Sequence, residues 1–233
     1  MTREEYVENI RKEYGIVSVL SDNNGSKTLR LRNKRLNKDM ILHSNPKSCP
    51  VYEGLCAVRC ENLPLIYDVI EADDGQIVLE EYIDGLDLAQ AMESGKYRYK
   101  GVKKVMKGIC FALEVLHGQG YVHRDIKPEN VLVTTEGRVV LIDFNASRQI
   151  VGSRRDTEIL GTVGYAAPEQ MGITESDRRT DVYALGVLMN VLLTGCHPSK
   201  RLAKGRAGRI VRKCTAVNPD DRYPTAEKFC KSL

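Results

Sequence analysis

Three short motifs in this sequence bring together residue types that could do chemistry. They are His123-Arg124-Asp125-Ile126-Lys127-Pro128-Glu129-Asn130, then Asp143-Phe144-Asn145 thirteen residues after Asn130, and later Ala167-Pro168-Glu169. Carboxylate and amide oxygens are the ligands that hard cations such as Mg²⁺ prefer. A lone Asp or Asn in a loop would more simply cap a turn. Three motifs in this order make the turn-cap interpretation a poor explanation.

The elements that must position these motifs are predicted from apolar spacing. Apolar residues in steps of three and four predict a helix over residues 99–117 with one buried face. Short apolar runs on both sides of Thr135-Glu136-Gly137 predict a hairpin between the first two motifs. Residues 181–193 are apolar almost all round, which predicts a helix in the centre of a domain.

The first third of the chain is predicted to be rich in strands. Residues 16–42 have a strand-like pattern, and the hairpin turn signal Asp22-Asn23-Asn24-Gly25 interrupts them. The other predicted elements are a short amphipathic helix over 1–14, a helix over 49–59, and strands over 65–71 and 76–82. Asp84-Gly85 breaks the pattern, and nearly everything after it is predicted to be helical. This order favours a small sheet-rich lobe followed by a larger helical lobe.

The ordered motifs resemble those of the eukaryotic-type (Hanks) serine/threonine protein kinases, over essentially the whole chain. The Lys-Pro-Glu-Asn continuation of the first motif is similar to the serine/threonine branch rather than the tyrosine branch. The resemblance implies a two-lobed α+β fold, with a small antiparallel-sheet lobe over 1–83 and a mainly helical lobe over 84–233. It also implies ATP and Mg²⁺ as cofactors, and a protein substrate or protein binding partner.

The resemblance assigns roles to individual residues. Asp125 would accept or orient the proton of the substrate hydroxyl, and Lys127 would neutralise the transferring phosphate. Asn130 and Asp143 would hold Mg²⁺ ions. The nucleotide-binding positions would be Leu20, Ile41, Glu81, Ile83, Asp87 and Leu132.

Other residues match structural positions of the family. Glu169 is expected to form a buried ion pair with Arg222, and Asp181 to hold the backbone of the catalytic loop. The residues that match the family's stacked apolar spine are His123, Phe144, Leu55 and Ile66.

Four departures from the family fall on the nucleotide grip of the small lobe. The position of the phosphate-anchoring lysine is His43, whose imidazole is shorter and mostly neutral at pH 7. The alanine that roofs the adenine becomes Ile41, and the helix glutamate that pairs with the lysine becomes Val51. The glycine-rich loop would fall on residues 20–26, where Gly25 is the single glycine. Rescue by Lys27 or Lys34 is a further alternative, although most surface lysines are simply solvated.

Glu80 occupies the gatekeeper position, which is usually apolar in the family. A half-buried Glu needs a partner, and His43 is the nearest candidate in the aligned fold. Alternatively, Glu80 turns out to water or accepts a backbone N–H. Both interpretations stay open from the sequence.

Two functions of different class therefore follow from the sequence. The first is ATP-dependent phosphoryl transfer to protein Ser/Thr, with weak activity, which the intact Asp125, Lys127, Asn130 and Asp143 favour. The second is a pseudokinase, a binding or scaffold module with impaired ATP binding, which the changes at the nucleotide positions favour.

Composition adds limits on location and partners. The formal net charge of +4 does not argue for nucleic acid, and no apolar run reaches the roughly 20 residues that span a bilayer. The seven cysteines lack metal-type CxxC spacing, as expected of reduced thiols, so a cytoplasmic location is expected.

Two features of the predicted helical lobe bear on regulation and docking. Glu158 aligns with the phosphorylated loop residue that pairs with Arg124 in related kinases, so a carboxylate there could replace the phosphate. The alternative is an ordinary solvated acid. Only 14 residues separate Gly195 from Ile210, where the family usually places a substrate-docking helix, which indicates a reduced docking surface.

Overall fold

The structure is a computed structural model that describes residues 1–93, 95, 97–150, 162, 164–171 and 175–233. The chain forms two compact units, here called the sheet unit (1–60 and 64–83) and the helical unit (61–63 and 84–233). Residues 61–63 pack with the helical unit because Asn62 hydrogen-bonds the last strand of that unit's small sheet. Its Nδ2 donates to the Val139 carbonyl (2.7 Å), and its carbonyl accepts from the Leu141 N–H (3.0 Å). The expected α+β class is confirmed.

The sheet unit is a five-stranded antiparallel sheet with strand order β1-β2-β3-β5-β4. Its elements are α1 (Arg3–Ile10), β1 (Tyr14–Asn23), β2 (Ser26–Asn33), β3 (Asp39–Asn45), α2 (Val51–Cys56), β4 (Ile66–Ala72) and β5 (Gly75–Glu81). The predicted hairpin and both later strands are confirmed within one or two residues.

Alternation along the strands gives this sheet two different faces. One face forms an apolar core, on which Tyr6, Val7 and Ile10 of α1 pack. The other face carries residues that align with nucleotide positions of the family. There His43 of β3 is paired with Thr28 of β2, and Ile41 of β3 is paired with Glu80 of β5. Strand register therefore brings Ile41, His43 and Glu80 to one face.

Both helices of the sheet unit are shorter than the sequence predicts. α1 starts with a capping box between Thr2 and Glu5 and ends at Ile10, because the chain enters β1 at Tyr14. α2 covers Val51–Cys56 rather than 49–59. Pro50 sets its start, since proline is tolerated only in the first turn, and Gly54 weakens its middle.

The helical unit is built around two long helices. Its elements are β6 (Gly85–Asp87), α3 (Leu88–Glu93), α4 (Tyr99–Gly118), β7 (Tyr121–Val122), β8 (Val131–Thr134), β9 (Val139–Leu141), β10 (Arg148–Gln149), α5 (Arg178–Thr194), α6 (Gly205–Cys214) and α7 (Ala226–Ser232). The predicted helices over 99–117 and 181–193 and the small hairpin are confirmed. The sequence analysis missed β6, β7 and β10, which are too short to show a period.

The α5 helix is the centre of this unit, as its apolar composition predicts. An Asp177–Thr180 capping box starts the helix, and Gly195 ends it in the left-handed conformation with φ of 72°. Most of its residues are buried, including the polar side chains of Asp181 and Asn190. No helix in the described part of the chain is long and apolar enough to span a membrane.

Candidate active site

The catalytic loop, residues 123–130, connects β7 to β8 and positions Asp125 among three polar side chains. Lys127 Nζ donates to Asp125 Oδ2 (2.7 Å), and the Thr162 hydroxyl donates to Asp125 Oδ1 (2.7 Å). Lys127 Nζ also donates to Thr162 Oγ1 (2.9 Å). The structure therefore brings both predicted catalytic residues together. Thr162 lies beside them and contacts both.

These contacts set the charge of Asp125. Burial alone would raise the pKa of its carboxyl, but hydrogen bonds from Lys127 and Thr162 outweigh burial and hold that pKa below its ordinary value. Asp125 is therefore ionised at neutral pH. An ionised carboxylate can accept a hydrogen bond from a hydroxyl and then its proton.

Asn130 and Asp143 offer oxygen atoms that suit Mg²⁺. Asn130 Nδ2 donates to both the carbonyl (2.9 Å) and Oδ2 (3.0 Å) of Asp125, which orients its amide oxygen away from Asp125. The Ile142 N–H donates to the Asn130 carbonyl (3.0 Å), so Asp143 follows directly after a residue bonded to Asn130. An amide oxygen and a carboxylate on neighbouring segments fit a hard divalent cation.

Asp181 of α5 holds the backbone of the catalytic loop at its first two residues. Its carboxylate accepts hydrogen bonds from the backbone N–H groups of His123 (2.9 Å) and Arg124 (2.8 Å), and lies 2.8 Å from His117 Nε2. Burial would raise the pKa of Asp181, but the hydrogen bond with His117 and the hydrogen bond from the Arg124 N–H help to hold it below its ordinary value. The expectation that Asp181 fixes this backbone is confirmed.

His123 is fully buried, and its ring links the catalytic loop to the residue before Asp143. The Asp125 N–H donates to its Nδ1 (3.3 Å), so its Nε2 carries the hydrogen and donates to the Ile142 carbonyl (3.2 Å). Burial lowers the pKa of His123 despite the nearby carboxylates, so the ring is neutral at pH 7. Its ring packs edge-on against Phe144 with centroids 5.4 Å apart. Both are predicted spine residues.

Backbone strain in the described part of the chain concentrates at this site. Its non-glycine residues with positive φ are two turn asparagines, Asn24 and Asn37, together with Arg124 (70°) and Asp143 (64°). Left-handed conformations cost about 1–2 kcal/mol for residues other than glycine. Such strain clusters at functional sites, where the surrounding contacts maintain it.

The expected ion pair between Glu169 and Arg222 is also confirmed. Arg222 Nη1 and Nη2 donate to the two carboxylate oxygens of Glu169 (2.6 and 2.9 Å), and both side chains are almost completely buried. The Thr180 hydroxyl donates to the same carboxylate (2.9 Å). This pair ties the third motif to the segment before α7.

The nucleotide-binding positions predicted in the helical unit lie beside each other. Asp87 of β6 is directly opposite Leu132 of β8 in the antiparallel register. The Asp87 carboxylate accepts the Gln90 N–H (2.8 Å) at the start of α3. These two residues share one face of the small sheet.

The positions predicted in the sheet unit differ in burial. Ile41 and Ile83 are buried, while Leu20 is 55% exposed and lies at a bulge of β1. Glu81 pairs with Leu65, accepting its N–H at Oε2 (3.1 Å) and donating its own N–H to the Leu65 carbonyl (2.8 Å). Ile41 is the one of these four positions that is paired with Glu80, across β3 and β5.

The segment that aligns with the glycine-rich loop is almost entirely strand. β1 runs to Asn23 and β2 starts at Ser26, so Asn24 and Gly25 form the whole turn. Their φ angles of 51° and 77° are those of a type I′ hairpin turn. A two-residue turn of this kind offers few backbone N–H groups for phosphate oxygens.

His43, at the position of the anchoring lysine, is held by two side chains. Its Nε2 lies 2.9 Å from Glu80 Oε1, and its Nδ1 lies 3.2 Å from Thr28 Oγ1. Both His43 and Glu80 are more than nine-tenths buried. The His43 interpretation of the gatekeeper Glu80 is therefore confirmed, and the solvent alternative is wrong.

Three further expectations for the sheet unit can be compared with the structure. Val51 is the first residue of α2 and is fully buried, while Glu53 is exposed. Lys27 pairs with Asp22 (2.8 Å) on the face opposite His43, and Lys34 donates to the Arg11 carbonyl (2.6 Å). Neither lysine is placed to replace the missing anchor.

Sequence reasoning missed two residues of these sites, Thr28 and His117. Thr28 gave no signal, because its contact with His43 depends on cross-strand register. The His117–Asp181 contact joins residues 64 positions apart and has no local signature. Glu158 lies outside the described residues.

The comparison with protein families agrees with this geometry. The family model described as the protein kinase domain matches residues 29–233, most of the chain. The chain belongs to the protein kinase family. This kinase domain carries the serine/threonine-type catalytic loop, and its family uses ATP and Mg²⁺ and acts on proteins.

Several relatives of the kinase domain are bacterial. It is 35% identical over 202 residues to the serine/threonine-protein kinase PknL of Mycobacterium tuberculosis, covering 75% of this chain and 51% of the relative. It is 30% identical over 192 residues to the serine/threonine-protein kinase PrkC of Bacillus subtilis, covering 71% and 30%. A probable serine/threonine-protein kinase of Clostridium perfringens is 34% identical over 140 residues, covering 59% and 20%. The chain thus spans between a fifth and about half of these relatives.

Proposed function

We propose that this chain is a serine/threonine protein kinase domain that transfers a phosphoryl group from ATP to protein hydroxyls, with weak nucleotide binding. The arrangement of Asp125, Lys127 and Thr162 carries this proposal, because each oxygen of the Asp125 carboxylate accepts a hydrogen bond from one of the other two side chains. Such fixed polar groups lower a reaction barrier because they need no reorganisation when the reaction occurs.

Each residue of the catalytic loop and its neighbours would then have a separate role in phosphoryl transfer. Asp125, ionised and oriented, accepts the proton of the substrate hydroxyl. Lys127 donates hydrogen bonds to the phosphoryl oxygens and offsets their charge. Asn130 and Asp143 would hold Mg²⁺, and ATP would supply the phosphoryl group to the substrate oxygen, with ADP as the leaving group. Asp181 and His123 keep the backbone of the loop in place.

Weak nucleotide binding rests on the sheet unit. Both ring nitrogens of His43 are already used, one by Thr28 and the other by Glu80, so the imidazole is not oriented to hold a phosphate. The tight Asn24-Gly25 turn supplies few N–H donors. These features support an affinity for ATP below that of kinases with the lysine.

The test is phosphorylation of the chain itself and of a generic basic protein with radiolabelled Mg·ATP, beside a thermal-shift titration. A ligand at 100 times its Kd stabilises a protein by about 2.7 kcal/mol. We expect incorporation that EDTA abolishes and that Asp125→Asn abolishes. Incorporation that survives Asp125→Asn would come from a contaminating kinase and would contradict the proposal.

The second candidate, a pseudokinase that acts as a binding module, is favoured by the His43–Glu80 contact. Under this function, neither the wild type nor Asp125→Asn transfers phosphate. Any ATP affinity would be equal with Mg²⁺ and with EDTA, because Asn130 and Asp143 would no longer serve a cation. A Mg²⁺-dependent thermal shift would contradict this second function.

A further inference from the structure

An open groove lies at one end of the helical unit, and none of its lining residues belongs to the catalytic loop. It is a cavity of about 720 Å³ between the first turn of α4, the end of α5 and the first turn of α6. We call it the α6 groove. Its apolar lining comes from Leu193, Leu202, Ala207 and Leu233. Leu193 and Leu202 are partly buried and Leu233 is buried, so an apolar ligand group would have to enter the groove to contact them.

The rim of the α6 groove is positively charged. Lys103, Arg201, Lys204 and Arg206 line it, and no Asp or Glu is among its lining residues. Lys103 and Arg206 donate to the backbone oxygens of Leu233 (2.7 Å) and Ser232 (2.9 Å), and Arg201 donates to the Thr194 carbonyl. In the described part of the chain, no side-chain carboxylate neutralises these four cations.

The sequence extends this charge beyond the groove. Residues 200–213 contain seven Lys or Arg, and no acidic residue occurs between Asp181 and Asp220. α6 buries Ile210, Val211 and Cys214, and its exposed face continues the positive stripe with Arg209 and Arg212. A ligand with several negative charges would therefore be attracted to this end of the unit.

The short connection between α5 and α6 explains why the groove is open. α5 ends at Gly195 and α6 begins at Gly205, with no helix between them. Asn190 fixes this connection, since its Nδ2 donates to the carbonyls of Cys196 and Arg201 (both 2.8 Å) and its Oδ1 accepts the Ala203 N–H (2.8 Å). The groove is thus a preformed feature, since its wall is held by a buried side chain.

The geometry points to a docking site for a protein partner that presents an acidic segment with one apolar anchor residue. The recessed apolar lining fits a side chain such as leucine, and the rim fits flanking carboxylates. A membrane surface fits less well, because bilayer binding uses apolar side chains that project outward. Nucleic acid fits less well too, because the lining offers one aromatic residue, Tyr99, for base stacking.

The test is fluorescence anisotropy with a fluorescein-labelled peptide that has a single leucine between runs of glutamate. A second peptide replaces the leucine by serine and keeps the charge, and a third replaces the glutamates by glutamine. We expect both changes to weaken binding by about tenfold or more, since anchor and charge each contribute. Equal binding of the leucine and serine peptides would overturn the proposal.

Protein variants separate the groove from the rest of the basic stripe. Lys204→Glu alters the rim at an exposed side chain with no hydrogen bond in the described residues, so the fold should persist. Arg212→Glu makes the same change of charge outside the groove. We expect about tenfold weaker binding for Lys204→Glu and less than about twofold for Arg212→Glu. Leu202→Ser, checked by thermal unfolding, should act like the serine peptide.

Three outcomes would overturn the docking site. Equal losses in Lys204→Glu and Arg212→Glu would mean that the stripe attracts anions without a defined pocket. Vesicles with phosphatidylserine, or a single-stranded oligonucleotide, that bind more tightly than the leucine peptide would assign this face to a membrane or to nucleic acid. Unchanged peptide binding in Leu202→Ser would mean that the apolar lining of the α6 groove does not bind the leucine.

Discussion

The carboxylate of the catalytic loop and the buried carboxylate of the sheet unit are satisfied to different degrees. Asp125 uses both oxygens, one for Thr162 and the other for Lys127 and Asn130. Glu80 uses Oε1 for His43, while its Oε2 is buried with no hydrogen-bond partner in the described residues. One site is complete within its unit, and the other is not.

This difference separates the two carboxylates by how completely their oxygens are hydrogen-bonded. A buried polar atom without a partner costs about 1–3 kcal/mol, and more when it is charged. The sheet unit keeps the strands that would position an anchor, since His43 and Glu80 are on the same face of β3 and β5. Its side chains satisfy each other only in part. In the catalytic loop, by contrast, both carboxylate oxygens and the backbone N–H of Asp125 are hydrogen-bonded.

The largest effect is expected from Asp125→Asn. An amide cannot take the substrate proton, so phosphorylation of a test protein should fall by about 100-fold to 10,000-fold. Thermal unfolding should change little, because the amide can still accept from Lys127. Asp221→Asn, an exposed acid of the same unit, is the matched control and should keep full activity.

The next effect concerns a fully satisfied buried pair. Glu169→Gln leaves the Arg222 guanidinium buried without its counter-charge, so the free energy of unfolding should fall by about 3–5 kcal/mol. Urea unfolding measures this change. Asp220→Asn breaks the contact of Arg179 with an exposed Asp220, and should cost at most about 1 kcal/mol. Similar losses in both variants would contradict the distinction.

A smaller effect is expected from the half-satisfied pair. His43→Leu removes the hydrogen-bond partner that the Glu80 carboxylate has among the described residues, and should lower the free energy of unfolding by about 2 kcal/mol. The double variant His43→Leu/Glu80→Leu removes both polar groups and should return to within about 1 kcal/mol of the wild type. A double-mutant cycle by urea unfolding measures the coupling. A double variant less stable than His43→Leu would contradict this account, because Glu80 would then stabilise the fold without His43.

Much of the fold could be predicted from the sequence because its long elements carry clear periods. The α4 and α5 helices, the β1–β2 hairpin and the β8–β9 hairpin all follow from apolar spacing and turn residues. The length of α2 could not, since nothing in the sequence after Cys56 marks its end. Strands as short as β7, two residues long, carry no period.

The site divides in the same way. The roles of Asp181 and of Glu169 with Arg222 came from the resemblance, because no spacing predicts contacts between α5, the third motif and the segment before α7. The sequence offered the His43–Glu80 contact as one of two open interpretations, and the register of β3 and β5 decides it by placing both residues on one face. The α6 groove could not, because it is formed by the ends of three helices that are distant in sequence.

The smallest expected effect tests a satisfied carboxylate of the sheet unit, on the same strand and face as His43. Asp39 accepts hydrogen bonds from Arg32 Nε (2.6 Å) and Arg30 Nε (2.7 Å). The hydrogen bond from Arg32, and then that from Arg30, outweigh partial burial and lower the pKa of Asp39 from 3.8 to about 2. Because the folded-state pKa lies below the unfolded value, this contribution to stability is present above pH 3.8 and is lost as pH falls towards about 2.

The variant Asp39→Asn should therefore lower the free energy of unfolding by about 1 kcal/mol at neutral pH, since the arginines are partly exposed. The difference from the wild type should shrink as the pH is lowered below 3.8. Urea unfolding at neutral pH and at several acid pH values measures it. Glu80, with one unpartnered oxygen, has no such pair of arginines, so Glu80→Gln should not lower the stability at neutral pH. A difference for Asp39→Asn that stays constant into the acid range would mean that the two arginines do not stabilise the charged form of Asp39.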